Sequence, residues 1–166
     1  MPSPHLLRAT AQLDGEFVVF LIGARINKPW AIHKWLPVAL AMPKMIRELE
    51  QNPELGFLGY EQYGGRTTLM LQYWRSLDHL LAYARARDSE HLPGWRNYNE
   101  RVRQSGVVGV WHETYVIKPG AYENVYVQMP PFGLARIAQK HGKYAALQGG
   151  QGSARGRLAA ASSGAA

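Results

Sequence analysis

The 166-residue sequence contains no cysteine. That absence excludes a thiol nucleophile, a disulfide framework, an iron–sulfur cluster and a cysteine-ligated zinc site. No apolar run approaches the roughly 18 residues that a membrane helix needs, and the opening stretch MPSPHLLRATAQLDGE lacks the basic-then-apolar pattern of a signal peptide. The expectation is an unexported, cytoplasmic protein with no membrane partner. Acidic residues are also missing after Glu123, which accounts for most of the net charge of +7. Up to residue 127, 14 Lys and Arg face 12 acids, and the other five cations are Arg136, Lys140, Lys143, Arg155 and Arg157. The body of the chain is therefore close to neutral, and its basic end reads as a solubilising tail. Nucleic acid is not an expected partner. The P-loop, GxGxxG, GxSxG and HExxH patterns are absent, so nucleotide-fold, serine-hydrolase and zincin chemistry find no support.

What the chain does have is bulk: 46% of its residues are hydrophobic and 11% aromatic, enough for one compact domain with a sizeable core. Residues 1–14 read as an N-terminal arm, with regular structure starting at Gly15. Glu16–Gly23 is apolar at almost every position, as expected of a central strand covered on both faces. Trp30–Gln51 has helical spacing interrupted by Pro37 and Pro43, which predicts two helical pieces, each with a proline near its start. Leu55–Tyr63 and Thr67–Trp74 form a hairpin about Gly64, Gly65 and Arg66. Ser76 is positioned to cap a helix through Arg87, and a second helix is expected from His91 to Gln104. Val107–Ile117 reads as a long strand, and Tyr122–Gln128 as a shorter one after the Pro119–Gly120 turn.

Strand, helix, strand, strand, helix, strand is the order of a ferredoxin-like α+β unit: an antiparallel sheet with helices on one face. Its other face would be too apolar to meet water. Two such sheets packed face to face, as in a dimeric α+β barrel, would cover it and enclose an apolar cavity, which predicts a homodimer. The barrel domain is expected over 15–134, with a C-terminal extension over 135–148 and a disordered tail over 149–166.

Two of the six histidines stand apart. His91 would share a helix face with Trp95, Tyr98 and Val102, at spacings of 4, 7 and 11. An imidazole there is either an ordinary buried histidine or an axial haem ligand in an apolar surround. His112 lies in VVGVWHETYVI, where a period of two places it on one face with Val110, Thr114 and Val116. It is either half of a cross-strand hydrogen bond or a general acid/base in a cavity. His5 and His141 read as solvated, and His33 and His79 as surface or helix-packing residues. Tyr60, Tyr63, Tyr73 and Trp74 are either core or cavity lining.

The stretch YWRSLDHLLAYARARDSEHLPGWRNYNERV, followed by VWHETYVIKPGAYENVYVQMPPFGL, resembles a family of monooxygenase-like dimeric α+β barrel proteins, some linked to secondary metabolism. The likeness runs from Glu16 to Leu134. The same stretch is more distantly similar to the second half of the haem-containing aldoxime dehydratases. That resemblance implies haem b as cofactor, His91 as the iron ligand with Trp95 and Tyr98 beside it, and His112, 21 residues on, as the distal acid/base. It gives Arg25 as the loose counterpart of an active-site arginine. The dehydratases carry a serine on the strand matching LGYEQY, where this chain has Tyr60 and Glu61. They also fuse two such halves in one chain, so a single half again implies a homodimer.

Three functions follow as expectations. The first is a haem-dependent enzyme that cleaves an N–O bond or oxygenates a small apolar or aromatic substrate, with His112 as acid/base and Arg25 and Tyr60 positioning the substrate. The second is a cofactor-independent monooxygenase of secondary metabolism, in which His112 accepts the substrate's proton. The third is a small-molecule-binding dimer without turnover.

Overall fold

The computed structural model describes residues 8–86 and 105–163. Its elements are β1 (Arg8–Leu13), β2 (Phe17–Ile26), α1 (Ile32–Gln51), β3 (Phe57–Tyr63), β4 (Leu69–Trp74), α2 (Leu77–Arg85), β5 (Val108–Ile117), β6 (Tyr126–Val127), α3 (Leu134–His141), β7 (Gly142–Ala146) and α4 (Ala154–Ser163). A 3₁₀ turn, Pro53–Leu55, joins α1 to β3. The chain divides into two compact units: Val19–Thr114, and the residues up to Val18 together with those from Tyr115 onward.

The Val19–Thr114 unit carries the expected ferredoxin-like sheet, in the order β3-β4-β2-β5. β3 and β4 pair antiparallel from Tyr63↔Leu69 to Phe57↔Trp74, with a bulge between Phe57 and Gly59. β4 meets β2 antiparallel at the Arg25↔Thr67 bridge. Asn27 N–H donates to the carbonyl of Val107 (2.8 Å), so the end of β2 lies beside the start of β5. Gly23 on β2 is required by close approach: a Cβ there would meet the carbonyl oxygen of Thr68, the residue before β4. α2 starts where expected, with Ser76 Oγ accepting the backbone N–H of His79 (3.3 Å), and ends at Arg85. His79 packs over Gly56, whose left-handed φ of 82° suits glycine, so this histidine is structural.

α1 differs from the expected two pieces. It is one helix of 20 residues with Pro37 and Pro43 inside it. Each proline forfeits one backbone hydrogen bond, yet good helix formers on either side and an apolar stripe through Trp35, Val38, Met42, Met45, Ile46 and Leu49 keep it continuous.

The other unit holds a three-stranded sheet, β6-β1-β7, with α3 packed on β1 and β7. The expected N-terminal arm is a strand from Arg8: it pairs antiparallel with β7 from Ala9↔Ala146 to Leu13↔Gly142. Its Ala–Thr–Ala pattern carries little strand propensity, and its partner lies more than 100 residues away. The expected strand over Tyr122–Gln128 shrinks to Tyr126–Val127. Asn124 explains this: its side-chain amide exchanges two hydrogen bonds with the backbone of Ala11 (2.7 and 2.8 Å), standing in for a paired strand residue. The expected C-terminal extension is α3 and β7. The expected disordered tail contains α4, held by Arg157, whose guanidinium bonds Glu123 (2.6 Å) and the carbonyls of Gln151 and Gly152 (3.1 Å each). Arg157 is therefore a buried structural cation. Among the described residues, no helix is long and apolar enough to cross a membrane.

Candidate functional site

The Val19–Thr114 unit holds a chamber of about 700 Å³ between the sheet and helices α1 and α2. Side-chain alternation fixes which sheet face it sees. Val108 of β5 and Ala24 of β2 pack with Trp35 and Val38 of α1, so the even-numbered positions of these strands face the helices. Phe20, Ile22, Met70, Trp74 and Val110 make the apolar floor, and the stripe of α1 makes the roof. Polar groups are few: Gln62, Thr68, Gln72, His112 and Thr114.

His112 is in this wall, with its ring 5.7 Å from that of Phe20 and tilted by 45° to it. Its face was legible from the period of two. The chamber was not: it lies beneath helices α1 and α2 of the same chain, and is a different space from the cavity expected between two sheets of a dimer. The helix stripe of α1 faces the sheet without interlocking with it, a packing outcome that no local pattern reports.

The other expected site residues separate. Arg25 is exposed on the opposite side of β2, where Nη1 donates to Thr67 Oγ1 (2.7 Å). Being one residue from Ala24 puts it on the sheet face away from the chamber and from His112. Tyr60 pairs with Gln72 across β3 and β4 and stacks on Phe57, at 6.2 Å between ring centroids. It is absent from the described lining of the chamber and belongs to the cluster of Phe57, Trp74 and Tyr83. His91, Trp95 and Tyr98 lie outside the described residues. Sequence reasoning missed Gln72, the one polar side chain buried in the floor, because a lone glutamine on a strand carries no motif.

Residues 17–134 match the protein family described as monooxygenase af470-like. The chain is 32% identical over 133 residues to a protein named monooxygenase af470 from Aspergillus fumigatus. That match covers 74% of this chain and 46% of the fungal protein, so the chain spans about half the length of its relative. Among solved structures, an aldoxime dehydratase aligns with a TM-score of 0.62 at 16% identity, over 79% of this chain and 41% of the dehydratase. A cofactor-independent oxygenase from Streptomyces nogalater aligns at 0.44 and 11% identity, over 62% of this chain and 94% of its own. The dehydratase likeness shows a shared fold.

Proposed function

The chain belongs to the monooxygenase af470-like family, and from that premise we propose a haem-dependent enzyme that oxygenates a small apolar or aromatic molecule or cleaves its N–O bond. One observation carries this reading: an apolar chamber of about 700 Å³ lies where sheet and helices would otherwise interlock, with an imidazole in its wall. The volume suits the roughly 300–1,000 Å³ typical of small-molecule and cofactor sites.

The described residues fit haem in kind: aliphatic and aromatic walls, and a histidine on the sheet side free to face a bound substrate. His91 would hold the iron, with Trp95 and Tyr98 as the other cofactor-binding residues. When bound, haem supplies a redox-active, Lewis-acidic iron. His112 gives a proton from a ring nitrogen to the departing oxygen, while Phe20 limits the tilt of its ring. The proposal includes a homodimer and cytoplasmic residence.

Membership of a monooxygenase family is equally compatible with a second reading, a cofactor-independent oxygenase. In it His112 removes a proton from an enol or phenol, and the resulting carbanion-like substrate reacts with dioxygen in the chamber.

Absorption spectra of protein expressed with a haem precursor separate the two. The haem reading predicts a Soret band at about one haem per chain that is lost in His91→Ala. It also predicts that His112→Ala keeps the band while turnover falls by about 10²–10⁴. A colourless protein that takes up no haem on reconstitution, yet consumes oxygen with a phenolic substrate, overturns the haem reading in favour of the second.

A further inference from the structure

Among the described residues two polar side chains are buried, Arg157 and Gln72. Arg157 is committed to the ion pair and carbonyl contacts that hold α4. Gln72 is not. The indole Nε1–H of Trp74 can only donate, and it donates to Gln72 Oε1 (2.9 Å), which fixes the orientation of the amide. The amide nitrogen then has two protons to place, and its bond is to Met70 Sδ (3.2 Å), a weak acceptor. Supporting Trp74 needs only an oxygen. The nitrogen beside it is a buried donor of good strength with poor protein company, at 5% exposure on the floor of the chamber.

Its place in the sheet gives the donor a use. β2 lies between β4 and β5, so Gln72 and His112 stand two strand spacings apart, about 10 Å measured across the sheet. Phe20 of β2 lies on the same floor, in ring contact with His112. The chamber thus offers a flat apolar surface with a proton-transfer group toward one edge and a hydrogen-bond donor toward the other.

We propose that Gln72 is the ligand-orienting residue of the chamber, its amide N–H donating to a carbonyl oxygen of the bound molecule. The ligands it selects are apolar molecules that carry a carbonyl at the end away from His112. The inference rests on the reading of the chamber as the reaction site and does not depend on haem.

The test is a pair of titrations of the full chain, read by the fluorescence of Trp35, Trp74 and Trp111, which line the chamber. The probes are 4-phenyl-2-butanone and butylbenzene, alike in size and differing in the carbonyl. In Gln72→Met the ketone loses about 3- to 10-fold in affinity, the worth of one neutral hydrogen bond, while butylbenzene binds within about twofold of its wild-type affinity. A second readout needs no stable Met variant. In ¹⁵N-labelled wild type, one glutamine side-chain amide, identified by its absence from Gln72→Glu, shifts with the ketone and stays in place with butylbenzene. An unchanged ratio of the two affinities together with an unmoved amide overturns the proposal, and binding of neither probe to wild type overturns the chamber as a ligand site. Haem content is read by absorption on the same samples, so a missing Soret band removes the haem reading and leaves the role of Gln72 standing.

Discussion

The two units of the chain bury apolar surface to opposite ends. In the unit of β1, β6, β7, α3 and α4, small side chains close the gap between sheet and helix: Ala9, Ala11, Ala135 and Ala138 are at most 1% exposed. The void found there, about 30 Å³ beside Thr10 and Lys143, has room for a water. In the Val19–Thr114 unit, large side chains of sheet and helix stand back from one another around some 700 Å³. Close approach of small residues makes a scaffold, whereas large residues that do not interlock make a site. In the polar groups the contrast is partial, since the Tyr144 hydroxyl of the first unit is buried without a hydrogen-bond partner. Asn124, Tyr122 and Arg157 are occupied with backbone or charge partners, while His112 and the amide nitrogen of Gln72 are presented to the chamber.

The contrast can be broken most directly by adding volume. Ala138→Leu, at a fully buried position of α3, should cost about 3 kcal/mol through overpacking, measured by urea unfolding. Ala39→Leu, on the roof of the chamber, should stay within about 0.5 kcal/mol and instead reduce ligand capacity. Equal costs at the two positions would erase the distinction between scaffold and site.

Next in size is Arg157→Ala, which strands the carbonyls of Gln151 and Gly152 and removes the charge partner of Glu123. Because Glu123 keeps partial solvent access, a loss of about 2 kcal/mol is expected, with faster proteolysis near α4 as the readout. Turnover should be unaffected, since the lesion lies outside the Val19–Thr114 unit.

The smallest effect is alkaline. Burial holds the Tyr122 phenol above its ordinary pKa of 10.0, assisted by the nearby charge of Asp14 and opposed by the hydrogen bond that its oxygen accepts from the backbone N–H of Leu13. A folded-state pKa above the unfolded value means that this contribution to stability is complete below the unfolded pKa. It is lost as pH rises through the folded one. Wild type should therefore lose stability above about pH 10 more steeply than Tyr122→Phe, in denaturant unfolding at several alkaline pH values. Parallel curves would remove Tyr122 from the account.

Much of the fold was legible because its signals are local. The β3–β4 hairpin announced itself by two glycines between β-rich runs, α2 by the cap at Ser76, and the face of His112 by simple alternation. What escaped depended on distant partners. β1 is a strand because β7 pairs with it, α4 is ordered because Glu123 meets Arg157, and Asn124 shortens β6 by bonding to Ala11. Of the candidate site, alternation also separates Arg25 from His112, but only once Ala24 and Val108 show which face the helices cover. Gln72 became visible only when Trp74 fixed the orientation of its amide.

The central claim is that function resides in the chamber of the Val19–Thr114 unit, and hydrogen exchange read by mass spectrometry, with and without haem, tests it most directly. The account predicts added protection in peptides from α1, β2, β4 and β5, with the peptides of β1, α3, β7 and α4 unchanged. Protection that rises in the second set, or in neither, would contradict it.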